Sequence, residues 1–190
     1  MTYLCCTKKL FKEMAVSRDQ IVPLNPDNSF LGEWYANLFK IAQYKCLIFT
    51  NKLTCFTVIC QGIKIDDIRN LPATFRKGLE KTLRDEKIEE TNIQRILTDC
   101  QEIRYSVPSD RVTTGVMVNH TQNLQYMVGY EGGFYQCKWD ELKHLLNHTP
   151  LLCGRPNSDP LSGKYAIDRL KEKLCSWNNK NVIERLTYGG

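Results

Sequence analysis

Apolar positions along the chain change their period several times, and each change marks an element. Tyr3 to Cys6 is a short apolar run, read as a strand, and Thr7 behind it offers a side-chain oxygen to cap a helix with Leu10, Phe11 and Met14 inside. The stretch from Pro23 to Ser29 is dense in turn formers and is expected to be a loop. Three β-rich runs follow, Trp34 to Ile41, Cys46 to Thr50 and Thr54 to Ile59, and their brief polar separators predict an antiparallel meander. In the last run Thr54, Phe56, Val58 and Cys60 share one face while Cys55, Thr57 and Ile59 share the other. Both faces are apolar enough to be covered.

Beyond Gly62 the period lengthens. Leu71, Phe75, Leu79 and Leu83 recur every four residues, which predicts an amphipathic helix with Pro72 tolerated in its first turn. Ile93, Ile96, Leu97 and Cys100 mark a second helix, and Glu102 to Val107 alternates like one more strand. From Arg111 to Cys137 only Arg111 and Glu131 are charged, so a long, largely buried helix is expected there, with Val112, Val116, Met117, Leu124, Met127 and Val128 on its inner side. Gly132 and Gly133 end it. Trp139, Leu142, Leu145 and Leu146 predict another helix, stopped at Thr149 and Pro150, and Ala166, Ile167, Leu170 and Leu174 a last one beyond a turn-rich loop. The expected fold class is α+β: a small, mainly antiparallel sheet packed against a central apolar helix with flanking helices, in one domain over residues 1–177 with a tail at 178–190.

Composition bounds this reading without redirecting it. At 190 residues, 42% hydrophobic and 25% charged, the chain can bury a core without covalent staples. No apolar run approaches the roughly 20 residues needed to cross a bilayer, so no membrane partner is expected. The charges at Lys8 and Lys9 follow the first apolar run, the reverse of a secretory signal, and a cytoplasmic location is expected. Nine cysteines, at positions 5, 6, 46, 55, 60, 100, 137, 153 and 175, show no metal-type or redox-type spacing and read as reduced thiols. The acceptor patterns at Asn119 and Asn147 would need a secreted chain to be glycosylated. A net charge of +5, thinly spread, is less than the dense basic stripe of most nucleic-acid binders.

Four segments, Cys6-Thr7-Lys8-Lys9-Leu10, Leu31-Gly32-Glu33-Trp34-Tyr35-Ala36-Asn37-Leu38, Cys46-Leu47-Ile48-Phe49-Thr50-Asn51 and Asn147-His148-Thr149-Pro150, together resemble a bacterial domain of unknown function, the one numbered 6933. The likeness runs from about Tyr3 to Leu174, and the chain departs from the family pattern between Ser109 and Asn119, where it reads Val112-Thr113-Thr114-Gly115-Val116-Met117. The resemblance implies a bacterial cytoplasmic protein and brings no activity, cofactor or site residues with it.

Candidate chemistry is sparse. Cys6 stands at a strand end before a helix N-terminus with Lys8 and Lys9 near, an arrangement that favours a thiolate, and His120 on the apolar side of the long helix could serve as its base. Each has a plainer reading, as a small core residue and as a hydrogen-bonded core histidine. Lys8, Lys9 and Lys12 beside Trp34 and Tyr35 could neutralise phosphates and stack bases, or could be a solvated helix face beside core aromatics. His144 and His148 are one helical turn apart, with Cys153 a conceivable third ligand, yet no glutamate separates them in metalloprotease order, and no metal is expected. Asn37 and Asn51 are expected to fix turns. No phosphate-cradling loop, dinucleotide fingerprint or nucleophile elbow occurs, so no cofactor is expected. The expected function is a non-enzymatic interaction module for protein or nucleic acid, and the alternative is a thiol-dependent enzyme using Cys6 with His120.

Overall fold

A computed structural model describes residues 1–25, 29–150 and 163–187, with 178–187 described through their helical backbone alone. The elements run β1 (Thr2–Cys6), α1 (Lys8–Met14), β2 (Glu33–Ile41), β3 (Tyr44–Asn51), β4 (Thr57–Gln61), α2 (Ile65–Arg69), α3 (Leu71–Asp85), α4 (Glu90–Asp99), β5 (Ile103–Ser106), α5 (Arg111–Tyr130), α6 (Trp139–Asn147) and α7 (Ala166–Thr187). The class is α+β. The cap expected at Thr7 forms, its hydroxyl accepting the Leu10 N–H at 3.4 Å, and α5 has a further cap in Asp110, whose carboxylate accepts the Thr113 N–H at 2.7 Å. Helix α7 continues past residue 177, into the stretch expected to be a tail.

One sheet orders the strands β4-β3-β2-β1-β5. The meander β2-β3-β4 is antiparallel, in the register Leu38 to Leu47 and Phe49 to Val58. Strand β1 lies between β2 and β5 and is parallel to both, so the sheet is mixed, with the antiparallel meander as its longer-paired part. Helix α1 provides the crossover that a parallel β1–β2 pair requires. A strand between two neighbours and under helices on both faces must be apolar on both sides, and all five residues of β1 are buried.

Alternation along β1 divides the core. Leu4 and Cys6 face a larger cluster built with Leu10 and Phe11 of α1, Ile68 of α2, Phe75 and Leu79 of α3, Ile96 of α4 and Leu170 of α7. Tyr3 and Cys5 face a smaller one with Met117, Leu124 and Val128 of α5 and Leu142 and Leu146 of α6. Helix α5 therefore covers one face only, and the bulk of the core lies across the sheet. On that far side Phe75 packs against Trp34 and Phe49 with ring centroids 5.1 and 5.0 Å apart. Gly78 lets α3 lie close on β4, because a methyl there would meet Cys60 Sγ at 2.5 Å.

Each sheet edge is covered in part, as exposed edges invite unwanted pairing. Residues Ile21 and Val22 lie along β5, where Val22 N–H donates to Tyr105 O at 2.9 Å. On β4 the cover is a side chain: Asn147 Oδ1 accepts the Thr57 N–H at 2.8 Å and Asn147 Nδ2 donates to Thr57 O at 2.9 Å.

Candidate functional site

Thr57 is the centre of the polar chemistry on the α5–α6 side. Its hydroxyl donates to Cys55 O at 3.0 Å, and Thr50 Oγ1 and His120 Nδ1 each lie 3.1 Å from it. A hydroxyl that donates once has lone pairs for the other two, which assigns the proton of neutral His120 to Nδ1 and leaves Nε2 as the basic nitrogen. Burial pushes the His120 pKa down to about 4, so the imidazole is neutral at physiological pH. Thr50, Thr57, His120 and Asn147 are all buried, and each has its partner.

Above this hub a cleft of about 670 Å³ opens between α5 and α6. Val112, Val116, Met127, Leu145, Leu146 and Pro150 supply its apolar lining, and Arg111, Asn119, His120 and Asn123 its polar groups. The inner stripe of α5 is Thr113, Val116, Met117, His120, Leu124 and Val128. Of the residues expected on that stripe, Met127 is partly buried against the inner cluster and also lines the cleft, whereas Val112 is exposed at the cleft. The outer side of α5 exposes Val118, Tyr126 and Tyr130, and from Val112 to Tyr130 the helix has no charged side chain to set among them.

Cys6 and His120 do not meet. Cys6 belongs to the cluster on the α1–α3 face and His120 to the α5 face, with the sheet between them. The Cys6 pKa is also raised well above the ordinary thiol value, first by burial and then by Cys5. Desolvation outweighs whatever the helix N-terminus and two exposed lysines offer a thiolate. The proposed catalytic pair fails for this reason. The stacking half of the basic patch fails as well: Lys8, Lys9 and Lys12 are exposed, but Trp34 and Tyr35 are completely buried on opposite faces of the sheet. The Tyr35 hydroxyl accepts the Asp110 N–H at 2.8 Å, at the start of α5.

The histidines of α6 find a partner the sequence reading did not offer. His148 Nε2 lies 2.7 Å from Glu86 Oε2, His144 Nδ1 lies 3.3 Å from Glu86 Oε1, and the two rings stack with centroids 3.8 Å apart. Cys153, the third ligand considered from sequence, lies outside the described residues. Glu86 sits at the end of a charged helix and gives no sequence signal of its burial. Asn147 gave a faint one, falling on the same side of α6 as Leu142 and Leu146. Asn51 and Asn37 hold structure: Asn51 Oδ1 accepts the N–H groups of Leu53 and Thr54 at 3.1 and 3.0 Å, and Asn37 Oδ1 accepts the Thr7 hydroxyl at 2.8 Å.

A family model described as a domain of unknown function (DUF6933) matches residues 3–165. The chain belongs to this family. No curated protein and no solved structure matches it. The DUF6933 match covers nearly all of β1 and every element from α1 to α6, hence the cleft, the Thr57 hub and the Glu86 cluster, and ends just before α7. The Asn147-His148-Thr149-Pro150 segment that resembles the family contributes to all three: Asn147 to the hub, His148 to Glu86 and Pro150 to the cleft wall.

Proposed function

We propose that the protein is a non-enzymatic interaction module of the bacterial cytoplasm, and that the α5–α6 face receives a segment of another protein. The observation behind this reading is the absence of charge from Val112 to Tyr130 on a helix that still exposes Val112, Val118, Tyr126 and Tyr130. A surface helix ordinarily sets charged residues on its solvent side. Depletion of charge with enrichment of tyrosine is instead the composition of an interface core. The neighbouring cleft would take one or two apolar anchors of an amphipathic segment, with Asn119 and Asn123 at its rim to orient the chain.

Protein is favoured over nucleic acid because Arg111 is the lone cation among the described residues that line the cleft, and phosphate neutralisation needs several. The described cysteines are free thiols, in keeping with a reducing compartment. Among the described residues no helix is long and apolar enough to cross a membrane.

Site-specific photocrosslinking in the native host tests the reading. A photoreactive residue in place of Tyr126 should give a protein adduct that the same group in place of Thr91, exposed on α4, does not. Leu145→Asp, a change at a half-exposed cleft position, should remove that adduct at unchanged thermal stability. Adducts that are sensitive to nuclease, or equal from both positions, contradict the proposal.

A further inference from the structure

The junction of α3 and α6 holds a second constellation, independent of the interface proposed above. Helix α3 ends in a tight reversal: Lys87 takes a left-handed φ of 56°, its N–H donates to Arg84 O at 2.9 Å, and the Ile88 N–H donates to Leu83 O at 3.0 Å. This is the bond pattern that usually places glycine after a helix, completed here by burial of Ile88. The reversal fixes the carboxylate of Glu86 beneath the last turn of α6, with its side chain only 4% exposed.

A carboxylate so far from water needs compensation. Among the described residues its ion-pair partners are His144 and His148, and the nearest buried lysine of α6, Lys143, is directed instead to Asp140 at 3.7 Å. Two imidazoles and one carboxylate are also the ligand set of a three-coordinate protein zinc site, which leaves the fourth position to water or a ligand. One donor atom from each of the three residues lies within 4.8 Å of the others. Tetrahedral coordination at zinc distances asks for donors about 3.3 Å apart, and His144 Nδ1 already stands 3.3 Å from Glu86 Oε1. Calcium and magnesium are excluded by the imidazoles, because both ions prefer oxygen throughout.

We propose that Glu86, His144 and His148 form a binding site for a zinc-class divalent cation. The ion neutralises the buried carboxylate and clamps the C-terminal end of α6 to that of α3. Because α6 supplies Leu145 and Leu146 to the cleft and Asn147 to the edge of β4, occupancy rigidifies the wall on which those residues stand.

Calorimetric titration of the reduced, metal-free full-length chain with Zn²⁺ tests the proposal, with Co²⁺ as a spectroscopic probe. One ion should bind per chain, and bound Co²⁺ should show tetrahedral d–d bands without a thiolate charge-transfer band. His144→Ala, at an exposed position that leaves the His148 pairing in place, removes a direct ligand and should weaken Zn²⁺ binding by at least the roughly 100-fold that loss of an outer-shell partner can cost. Glu86→Gln, which keeps the shape of the side chain, should weaken it as well, while Cys175→Ser leaves it unchanged. Equal Zn²⁺ affinity in the wild type and His144→Ala, or a thiolate band in the Co²⁺ spectrum, overturns the site.

Discussion

The two faces of the sheet are built from different material. On the face covered by α1, α2, α3, α4 and α7, the main cluster is aromatic and aliphatic, Trp34 Nε1 is buried without a hydrogen-bond partner, and buried polar residues such as Thr2, Thr82 and Asn92 form no shared hub. On the α5–α6 face, Thr50, Thr57, His120 and Asn147 are buried among the apolar residues, every one hydrogen-bonded, and the layer opens into a cleft. A dry core gains stability in proportion to the apolar area it removes from water. A polar hub adds less net stability but specifies geometry, because any loss leaves a buried group unsatisfied. The division assigns stability to one face and leaves the other free to keep an opening. The same alternation along β1 that puts Cys6 in the dry half and Cys5 in the other also separates Cys6 from His120.

Matched leucine deletions can break this contrast. Leu79 is wholly buried in the dry core, whereas Leu146, nearly as buried, borders the cleft. Leu79→Ala should cost about 4 kcal/mol in chemical denaturation, because the surroundings cannot collapse into the space. Leu146→Ala should cost about 2 kcal/mol, since its cavity merges with an existing opening that water can enter. Equal losses would mean that the two faces are packed alike and that the cleft has no energetic signature.

Asn147→Leu sharpens the contrast from the polar side. The replacement is close in size and more apolar, so a face stabilised mainly by burial would tolerate it. It also strips partners from the Thr57 N–H and C=O, both buried at the edge of β4. Leaving two backbone groups unsatisfied should cost about 3 kcal/mol, with the protection of the Thr57 amide in hydrogen exchange lost first. A neutral outcome would show that water or a neighbouring strand replaces the side chain, and that the edge needs no such cover.

How much of this was legible in the chain itself differs between the faces. The leucine and phenylalanine stripe of α3, the meander and the capped first helix repeat a local period, and local periods survive folding. The placement of β1 between β2 and β5 depends on which strands become neighbours, and no spacing in Tyr3 to Cys6 states that. The hub was legible in part. His120 could be placed indoors from the period of α5, but its partner Thr57 lies on a strand 63 residues away in sequence. Lys8, Lys9 and Lys12 were readable as an exposed face, whereas the burial of Trp34 and Tyr35 follows from their having a covered sheet on both sides. Glu86 was the least legible residue: its neighbours Arg84, Asp85 and Lys87 are exposed, and only the reversal at Lys87 turns it inward.

His120 provides the test with the smallest effect at neutral pH and the most specific signature. In the folded chain its pKa is about 4, against about 6.5 for an unperturbed histidine. Between those values the unfolded chain binds a proton that the folded chain does not, so stability must fall as pH drops through that window and level off below about pH 4. The full loss is of order 3 kcal/mol and is absent above about pH 7. Surface carboxylates add their own slope in acid: Glu13, Glu90 and Asp140 are held below the usual range by hydrogen bonds from Lys45, Arg84 and Lys81, so their contribution fades closer to pH 4. Subtracting the curve of His120→Asn, which keeps a donor near Thr57 Oγ1 but cannot titrate, removes that shared background. The difference should be flat at neutral pH and drop between about pH 6.5 and 4. A difference that stays flat throughout would mean that His120 charges freely in the folded chain. The α5 face would then be wet down to the hub, and the contrast between the two sides of the sheet would be one of shape alone.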